Sequence, residues 1–269
     1  MVSSVAASNF NEKNSFIYDS ETLLFPITNE KIDRLQLAIQ DINLMIIEDI
    51  VEHTSDVNNK ISFCFTHKNR LSIDIGDETL PLFKNCLLTL RSCLDALGIS
   101  DYEIIVSSWD NDKEFLELHQ YLLNNFSSEK ITLTRIDLDG FSRGLGLNRA
   151  GQASIGNIIG FIDTDMLFVR TPVITKGIEC TLQNVAYFPT CYTLDEDGSG
   201  WWRPTGYGNC FVSRRIFDTV QWVEKFSWGA EDEMFVAGIK EAGYHFHRDN
   251  CAGWHHQWHP DDQNVIIKN

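Results

Sequence analysis

From residue 61 onward, short apolar runs alternate with stretches of helical spacing, and this alternation constrains the fold more than any other feature of the chain. Ile61–Thr66 is a compact apolar run that ends in polar residues, the pattern of a buried strand. Leu82, Phe83, Cys86, Leu87, Leu90, Cys93, Leu94 and Leu97 then recur at helical spacing over 80–97 and stop at Gly98. Tyr102–Ser107 predicts a second strand, Lys113–Asn124 a helix following Asp110, and Ile131–Ile136 a third strand. Ser142–Gly156 reads as a helix or loop-helix, and Ile158–Ile162 as a fourth strand ending at Asp163. Such an order implies βαβ units, hence an α/β fold with a mainly parallel sheet and helices on both faces. Ligands of these sheets gather at the carboxyl ends of the strands. The polar clusters described below fall at that edge.

Residues 1–28 are polar and show no period. Over 29–53, Ile32, Leu35, Leu37, Ala38, Ile42, Leu44, Ile46 and Ile47 recur near helical spacing, so 1–59 is expected to form an N-terminal helical extension. It packs on the following domain or serves a partner. The net charge of −16 repels a phosphate backbone and an anionic membrane, which argues against nucleic acid as a partner. No run of residues reaches the roughly 20 apolar positions of a membrane span, and the first residues do not resemble a signal peptide, so a soluble cytoplasmic protein is expected. The seven Cys include no CxxC pair and sit mostly in apolar runs, as small core residues would.

Three clusters carry chemistry. In Gly160-Phe161-Ile162-Asp163-Thr164-Asp165, two carboxylates spaced i and i+2 leave a buried strand, where they are expected to share one side. Like charges so close are costly without a cation between them, and hard oxygen ligands suit Mn²⁺ or Mg²⁺. The bland alternative is a pair of turn-capping acids. In Trp228-Gly229-Ala230-Glu231-Asp232-Glu233, three acids open an amphipathic helix. They either complement the helix dipole or supply a general base with a sugar-binding neighbour. In Trp254-His255-His256-Gln257-Trp258-His259, three imidazoles lie within five residues, and one of them is a candidate ligand for the same metal. Glycines and exposed aromatics over 194–207, including Trp201 and Trp202, suggest either a closing loop or a plain surface loop.

Taken in order, these blocks resemble the GT-A fold of nucleotide-sugar glycosyltransferases, closest to the inverting group of chondroitin polymerases and β-1,4-galactosyltransferases. The resemblance rests on Ile61–Arg70, on Asp163-Thr164-Asp165, and on Gly208–Phe217 followed by Trp228–Asp232, and it runs from about residue 60 to 260. It implies a catalytic domain over 60–269, with a nucleotide-binding half at 60–168 and an acceptor-binding half at 169–269. Carried over by position, it implies that Thr66, Lys68, Arg70, Asp110, Arg143, Arg149, Asp163 and Thr164 bind the nucleotide sugar, a UDP-sugar, with Asp112 as the substitute for Asp110. Asp163, Asp165 and His256 would hold the metal, with His259 as the rival imidazole. Asp232 would be the catalytic base, and Glu231, Trp228 and Trp202 would bind a glycan or other hydroxyl acceptor. Two departures stand out: Gly229-Ala230 replaces the usual Gly-Gly, and the second strand ends without a paired Asp. The competing readings are a nucleotidyltransferase or metal-dependent hydrolase, and a non-enzymatic carbohydrate-binding protein.

Overall fold

The structure, a computed structural model, describes residues 59–75, 78–226 and 229–260. The helical extension expected over 1–59 therefore lies outside the described residues except for Asn59, and so does Trp228.

The central strand is β1 (Ile61–His67), and all seven of its residues are buried. A strand buried on both faces needs apolar side chains throughout rather than alternation, and Ile61-Ser62-Phe63-Cys64-Phe65 meets that need. Phe63 and Phe65 project into a cluster with Phe83, Cys86 and Leu90 of α1 (Leu82–Ala96). Cys64 projects the other way, among Leu147 and Ala150 of α3 (Arg143–Ala153). Ser62 and the buried Glu103 satisfy each other through a 2.6 Å hydrogen bond.

On one side of β1 lie β4 (Tyr102–Ser108) and then β5 (Ile131–Arg135), both parallel to it. Between these two strands runs α2 (Asp112–Asn125), which Asn111 starts by accepting from the amides of Lys113 and Glu114 at 3.0 and 3.3 Å. On the other side lies β6 (Ile158–Phe161), also parallel to β1. The chain thus builds outward from β1 and then returns to its other flank, which makes the β1/β6 boundary a topological switch point. Beyond β6 come β11 (Cys210–Ser213), β8 (Val185–Tyr187) and β12 (His245–His247). Only β11 runs against the rest, so this seven-stranded sheet is mixed and mainly parallel, as expected.

A short antiparallel pair, β2 (Ile73–Ile75) and β3 (Glu78–Leu80), lies between β1 and α1 in the chain. A second sheet has the order β10 (Gly200–Trp202), β9 (Thr190–Leu194), β13 (Asn250–His256) and β7 (Met166–Phe168). Its register sets His256 opposite Met166, which brings the C-terminal imidazoles beside the Asp163-Thr164-Asp165 segment. That segment is not strand. It forms the turn between β6 and β7, so the expectation that its two carboxylates share one side of a strand does not hold.

The remaining helices are α4 (Pro172–Leu182), α5 (Arg214–Thr219) and α6 (Glu231–Glu241). Phe161, Phe217, Trp222 and Phe235 pack ring against ring beneath α5 and α6, with Trp222 and Phe235 stacked at 4.1 Å. Truncating a ring such as Phe161 there would cost about 3–5 kcal/mol. All seven cysteines are free thiols.

Candidate active site

A cleft of about 570 Å³ opens at the carboxyl ends of β1 and β6. The chain as a whole is strongly acidic, yet Lys68, Arg70, Arg143, Arg203 and Arg248 converge on this one cavity, facing Asp163, Asp165, Glu231 and Asp232. Five cations against four carboxylates leave the cleft close to neutral in a chain of net charge −16, so an anion meets less repulsion there than the overall charge implies.

Arg143 reaches the cleft because α3 lies close against the sheet. A methyl group at Gly146 would collide with Thr66 and Trp109, and one at Gly144 with the carbonyl of Val223. Ser142 caps the helix, accepting from the Leu145 amide at 3.3 Å. The Arg143 Nε then donates to Asp163 Oδ1 at 2.8 Å, and Nη2 donates to the carbonyl of Gly208. Burial works against its charge, but Asp163 and, beyond it, Glu231 and Asp232 raise its pKa above the ordinary value. Its Nη1 is buried without a partner. Asn209 completes the hold on Asp163: its Nδ2 donates to Oδ2 at 3.0 Å, and its Oδ1 accepts from the Asp163 amide at 2.7 Å.

Asp165 faces a different set of groups. Its Oδ2 accepts from Arg70 Nη1 at 2.9 Å and lies 3.3 Å from His259 Nε2 and 3.7 Å from His256 Nε2. Its Oδ1 is buried and unpartnered. Burial raises the carboxyl pKa, but His256, His259 and Arg70 outweigh it and hold the group far below the usual carboxylate range. The two imidazoles diverge. Burial pushes His256 down, whereas for His259 the hydrogen bond to Asp165 overcomes burial and pushes it up. Gln257 fixes the segment that carries both, since its amide donates to the Asp165 carbonyl at 2.8 Å. Its side chain also bonds Asn85 and the Leu82 carbonyl, each at 3.0 Å.

Among the described residues, the group able to hold a metal ion is Asp165, His256 and His259, whose ligand atoms lie within 4.8 Å of one another. This departs from the expected set. His259 joins His256 rather than competing with it, and Asp163 is committed to Arg143 and Asn209. The orphaned Oδ1 of Asp165 is an observation in favour of a cation. One carboxylate with two imidazoles suits Mn²⁺ better than Mg²⁺, which prefers all-oxygen shells.

The acidic block opens α6. Asp232 Oδ2 accepts from the Tyr207 amide at 2.6 Å, and its Oδ1 from the Glu233 amide at 3.0 Å. Glu231 is buried and lines the cleft with its Oε2 unpartnered. Ala230, just before the helix, holds φ at 66°. Across the cleft, Arg248 stacks on Tyr207 at 4.2 Å and donates to the carbonyls of Gly206 and Pro204 at 2.8 and 3.3 Å.

Thr66, Lys68, Arg70, Arg143, Asp163, Thr164, Asp165, Glu231, Asp232, His256 and His259 thus meet in one cavity. Three expected residues and one substitute candidate do not line it. Asp110 is buried beside it with both oxygens engaged: Oδ2 with His67 Nδ1 at 2.6 Å and the Ser108 hydroxyl at 2.7 Å, and Oδ1 with the Asn69 amide at 2.6 Å. It supports the end of β1 and offers no atom to a base. Its substitute, Asp112, is exposed and bonded to Arg135. Arg149 is exposed on α3 and Trp202 is exposed on the edge strand β10. Conversely, Arg203, Arg248 and Asn209 line the cleft although nothing in their local sequence marks them as ligands.

The mixed, mainly parallel sheet flanked by helices, with its cleft at the switch point, matches the fold of solved GT-A-like structures. The chain is similar to S. aureus TarS 1-349, with a TM-score of 0.56 and 11% identity over 74% of this chain and 60% of that one. It is likewise similar to TarS 1-349 in complex with UDP-GlcNAc, with a TM-score of 0.58 and 11% identity over 78% and 62% of the two chains. For the complex with UDP the TM-score is 0.55 and the identity 12%, over 77% and 63%. The chain spans a little under two thirds of the TarS fragment it matches. No family model and no curated protein matches the sequence. No helix among the described residues is long and apolar enough to cross a membrane.

Proposed function

We propose that this chain is a nucleotide-sugar glycosyltransferase that moves a sugar from a UDP-sugar to a hydroxyl of a glycan or other acceptor, with inversion at the anomeric carbon. One observation carries the reading: at the switch point of a GT-A-like sheet, a strongly acidic chain gathers five cationic side chains into one cleft that also holds a carboxylate with a buried, unpaired oxygen. A diphosphate fits such a site. Lys68, Arg70 and Arg143 would face its oxygens, and Arg143 is pre-positioned by Asp163 and Asn209. Donors fixed in advance act on developing negative charge without reorganising, which makes this kind of stabilisation large. That TarS 1-349 has been crystallised with UDP and with UDP-GlcNAc supports the choice of nucleotide.

Asp165, His256 and His259 would hold Mn²⁺, or less readily Mg²⁺. When bound, such an ion supplies positive charge against the diphosphate leaving group. The first turn of α6 supplies the base, from the pair Glu231 and Asp232. The nucleotide side would then be built from 60–168 with β13 added to it, and the acceptor side from the remainder of 169–269.

Calorimetric titration with UDP, with and without Mn²⁺, tests the reading. Metal-strengthened UDP binding, and release of UDP rather than pyrophosphate or phosphate from UDP-GlcNAc, is the expected outcome. Absence of any UDP binding would sink it.

A further inference from the structure

We propose that the indole of Trp201, not that of Trp202, forms an outer subsite that stacks on a sugar ring of the acceptor. The inference rests on the transferase reading above and narrows the acceptor class to an oligosaccharide that reaches beyond the cleft.

Register decides which of the two adjacent Trp can serve. Both are exposed on the edge strand β10, but neighbouring residues of a strand point to opposite faces. Across the second sheet, Met166 pairs with His256, His256 with Thr193, and Thr193 with Trp201. These four residues therefore share one face, and Met166 and His256 line the cleft from it. The Arg203 amide donates to the Cys191 carbonyl at 3.0 Å, which carries the alternation one pair further, and both of these residues line the cleft as well. The neighbouring row runs from Leu167 through His255 and Tyr192 to Trp202. Trp202 thus lies on the far face, where its ring meets Tyr192 edge-on at 5.5 Å. A lone exposed aromatic needs no explanation by itself. What marks Trp201 is its place on the wall that carries His256 and Arg203.

Two strand spacings put the Trp201 backbone roughly 10 Å from that of His256. That is farther than the transferred sugar extends from a diphosphate held at Asp165, so a ring on Trp201 belongs to a distal residue of the acceptor. The platform is fixed. A methyl at Gly200 would strike the Thr193 carbonyl, so glycine lets β10 close on β9, and the Tyr192 hydroxyl donates to the Gly200 carbonyl at 2.7 Å. Trp201 is 47% exposed on this rigid edge, which lowers the ordering cost of binding. The electron-rich face of an indole attracts the C–H bonds on the apolar side of a pyranose ring. Arg203, two residues on and on the same face, brings guanidinium donors for the ring's hydroxyls.

The probes are three neutral tetrasaccharides, cellotetraose, chitotetraose and maltotetraose, titrated by calorimetry into the full chain with UDP and Mn²⁺ present, and their monosaccharides. Wild type is expected to bind one of the tetrasaccharides about tenfold or more tighter than its monosaccharide. Trp201→Ala should weaken that tetrasaccharide about tenfold and leave the thermal midpoint and UDP affinity close to wild type. Trp201→Phe should recover part of the loss, and Trp201→Leu, apolar but without a ring, should not. Trp202→Ala should keep tetrasaccharide affinity within about twofold. The subsite is overturned by a wild-type chain that binds none of the three, by a Trp201→Leu variant that binds as wild type does, or by a larger loss in Trp202→Ala than in Trp201→Ala. A wild-type dimer in sedimentation that Trp201→Ala splits also overturns it, since the indole would then belong to an interface between copies. Tetrasaccharide binding without any UDP binding is a different result: it breaks the transferase reading and leaves the platform standing.

Discussion

Asp110 and Asp165 stand at comparable places, each one to a few residues past a buried parallel strand and on the same edge of the sheet, and they have opposite fates. Asp110 has both oxygens engaged by its neighbours His67, Ser108 and Asn69. Asp165 has one oxygen shared among Arg70 and two imidazoles, and the other buried with nothing to accept from. The first is a finished structure and the second is an unfinished one. Other buried side-chain atoms here also lack partners, among them His67 Nε2, Trp109 Nε1 and Trp222 Nε1, but Asp165 Oδ1 belongs to a carboxylate that lines the cleft beside two imidazoles, where a ligand can complete it. The contrast separates an acid that stabilises the fold from an acid poised for a ligand, although both look alike in a string of residues.

The sharpest way to break the contrast is to neutralise each acid in turn. Asp165→Asn keeps the shape but removes the charge that holds His256, His259 and Arg70 together. Mn²⁺-dependent UDP affinity should fall on the order of 100-fold, about 3 kcal/mol, with a small change in thermal midpoint. Calorimetry that finds normal metal-dependent affinity would remove Asp165 from the site. Asp110→Ala should do the reverse. It strands three donors in the interior, at about 3 kcal/mol of stability for the set, while the UDP affinity of the folded fraction stays within a few-fold. A variant that unfolds normally in urea yet loses UDP would restore Asp110 as a base-recognising residue.

Acid should erode the same support more gently. Burial raises the Asp110 carboxyl pKa, but the hydrogen bonds from His67, Asn69 and Ser108 outweigh it and leave the net value below the usual carboxylate figure. A group with a depressed folded pKa stabilises the fold above its unfolded value, near 3.9, and loses that contribution as pH falls through the lower folded value. Urea midpoints should therefore decline below about pH 4. The decline should be smaller than the full loss in Asp110→Ala, since a protonated carboxyl still accepts through one oxygen. The slope in that window should shrink in Asp110→Ala. An identical slope in the variant would mean that Asp110 is not linked to folding there.

Much of the fold was legible because periodicity is a local signal. The run Phe63-Cys64-Phe65 could only be a strand buried on both faces, and the apolar stripe that ends at Gly98 could only be a helix with a stop. The acids were legible as acids, but their directions were not. Asp163-Thr164-Asp165 lies in a turn, where the two-residue period of a strand has no force, so its carboxylates go to different partners. The metal group depends on Gln257 bonding Asn85 across 172 positions, a pairing no window of sequence contains. Arg203 and Arg248 sit outside periodic segments and reach the cleft only because β9, β10 and β13 form a second sheet. One miss was avoidable. Arg143 and Arg149 are six positions apart on one helix, about 240° around its axis, so the two point in different directions and only Arg143 lines the cleft.

The smallest expected effect concerns Ala230, where Gly-Gly would be usual and Gly-Ala is found. Its φ of 66° is conformation that a Cβ opposes. Ala230→Gly relieves that strain but gives the unfolded chain more freedom, and the two contributions oppose each other. The balance should favour the variant by no more than about 1 kcal/mol, read as a slightly higher thermal midpoint. Strain retained beside a functional group holds it in one direction, so the same substitution should loosen the aim of the acids that open α6, Glu231 and Asp232. Turnover of UDP-GlcNAc is expected to fall a few-fold while UDP affinity, set at the Asp165 end, stays put. A variant that is more stable and equally active would show that the alanine is tolerated strain with no part in orienting the acids, and the contrast between finished and unfinished acids would then stop at Asp165.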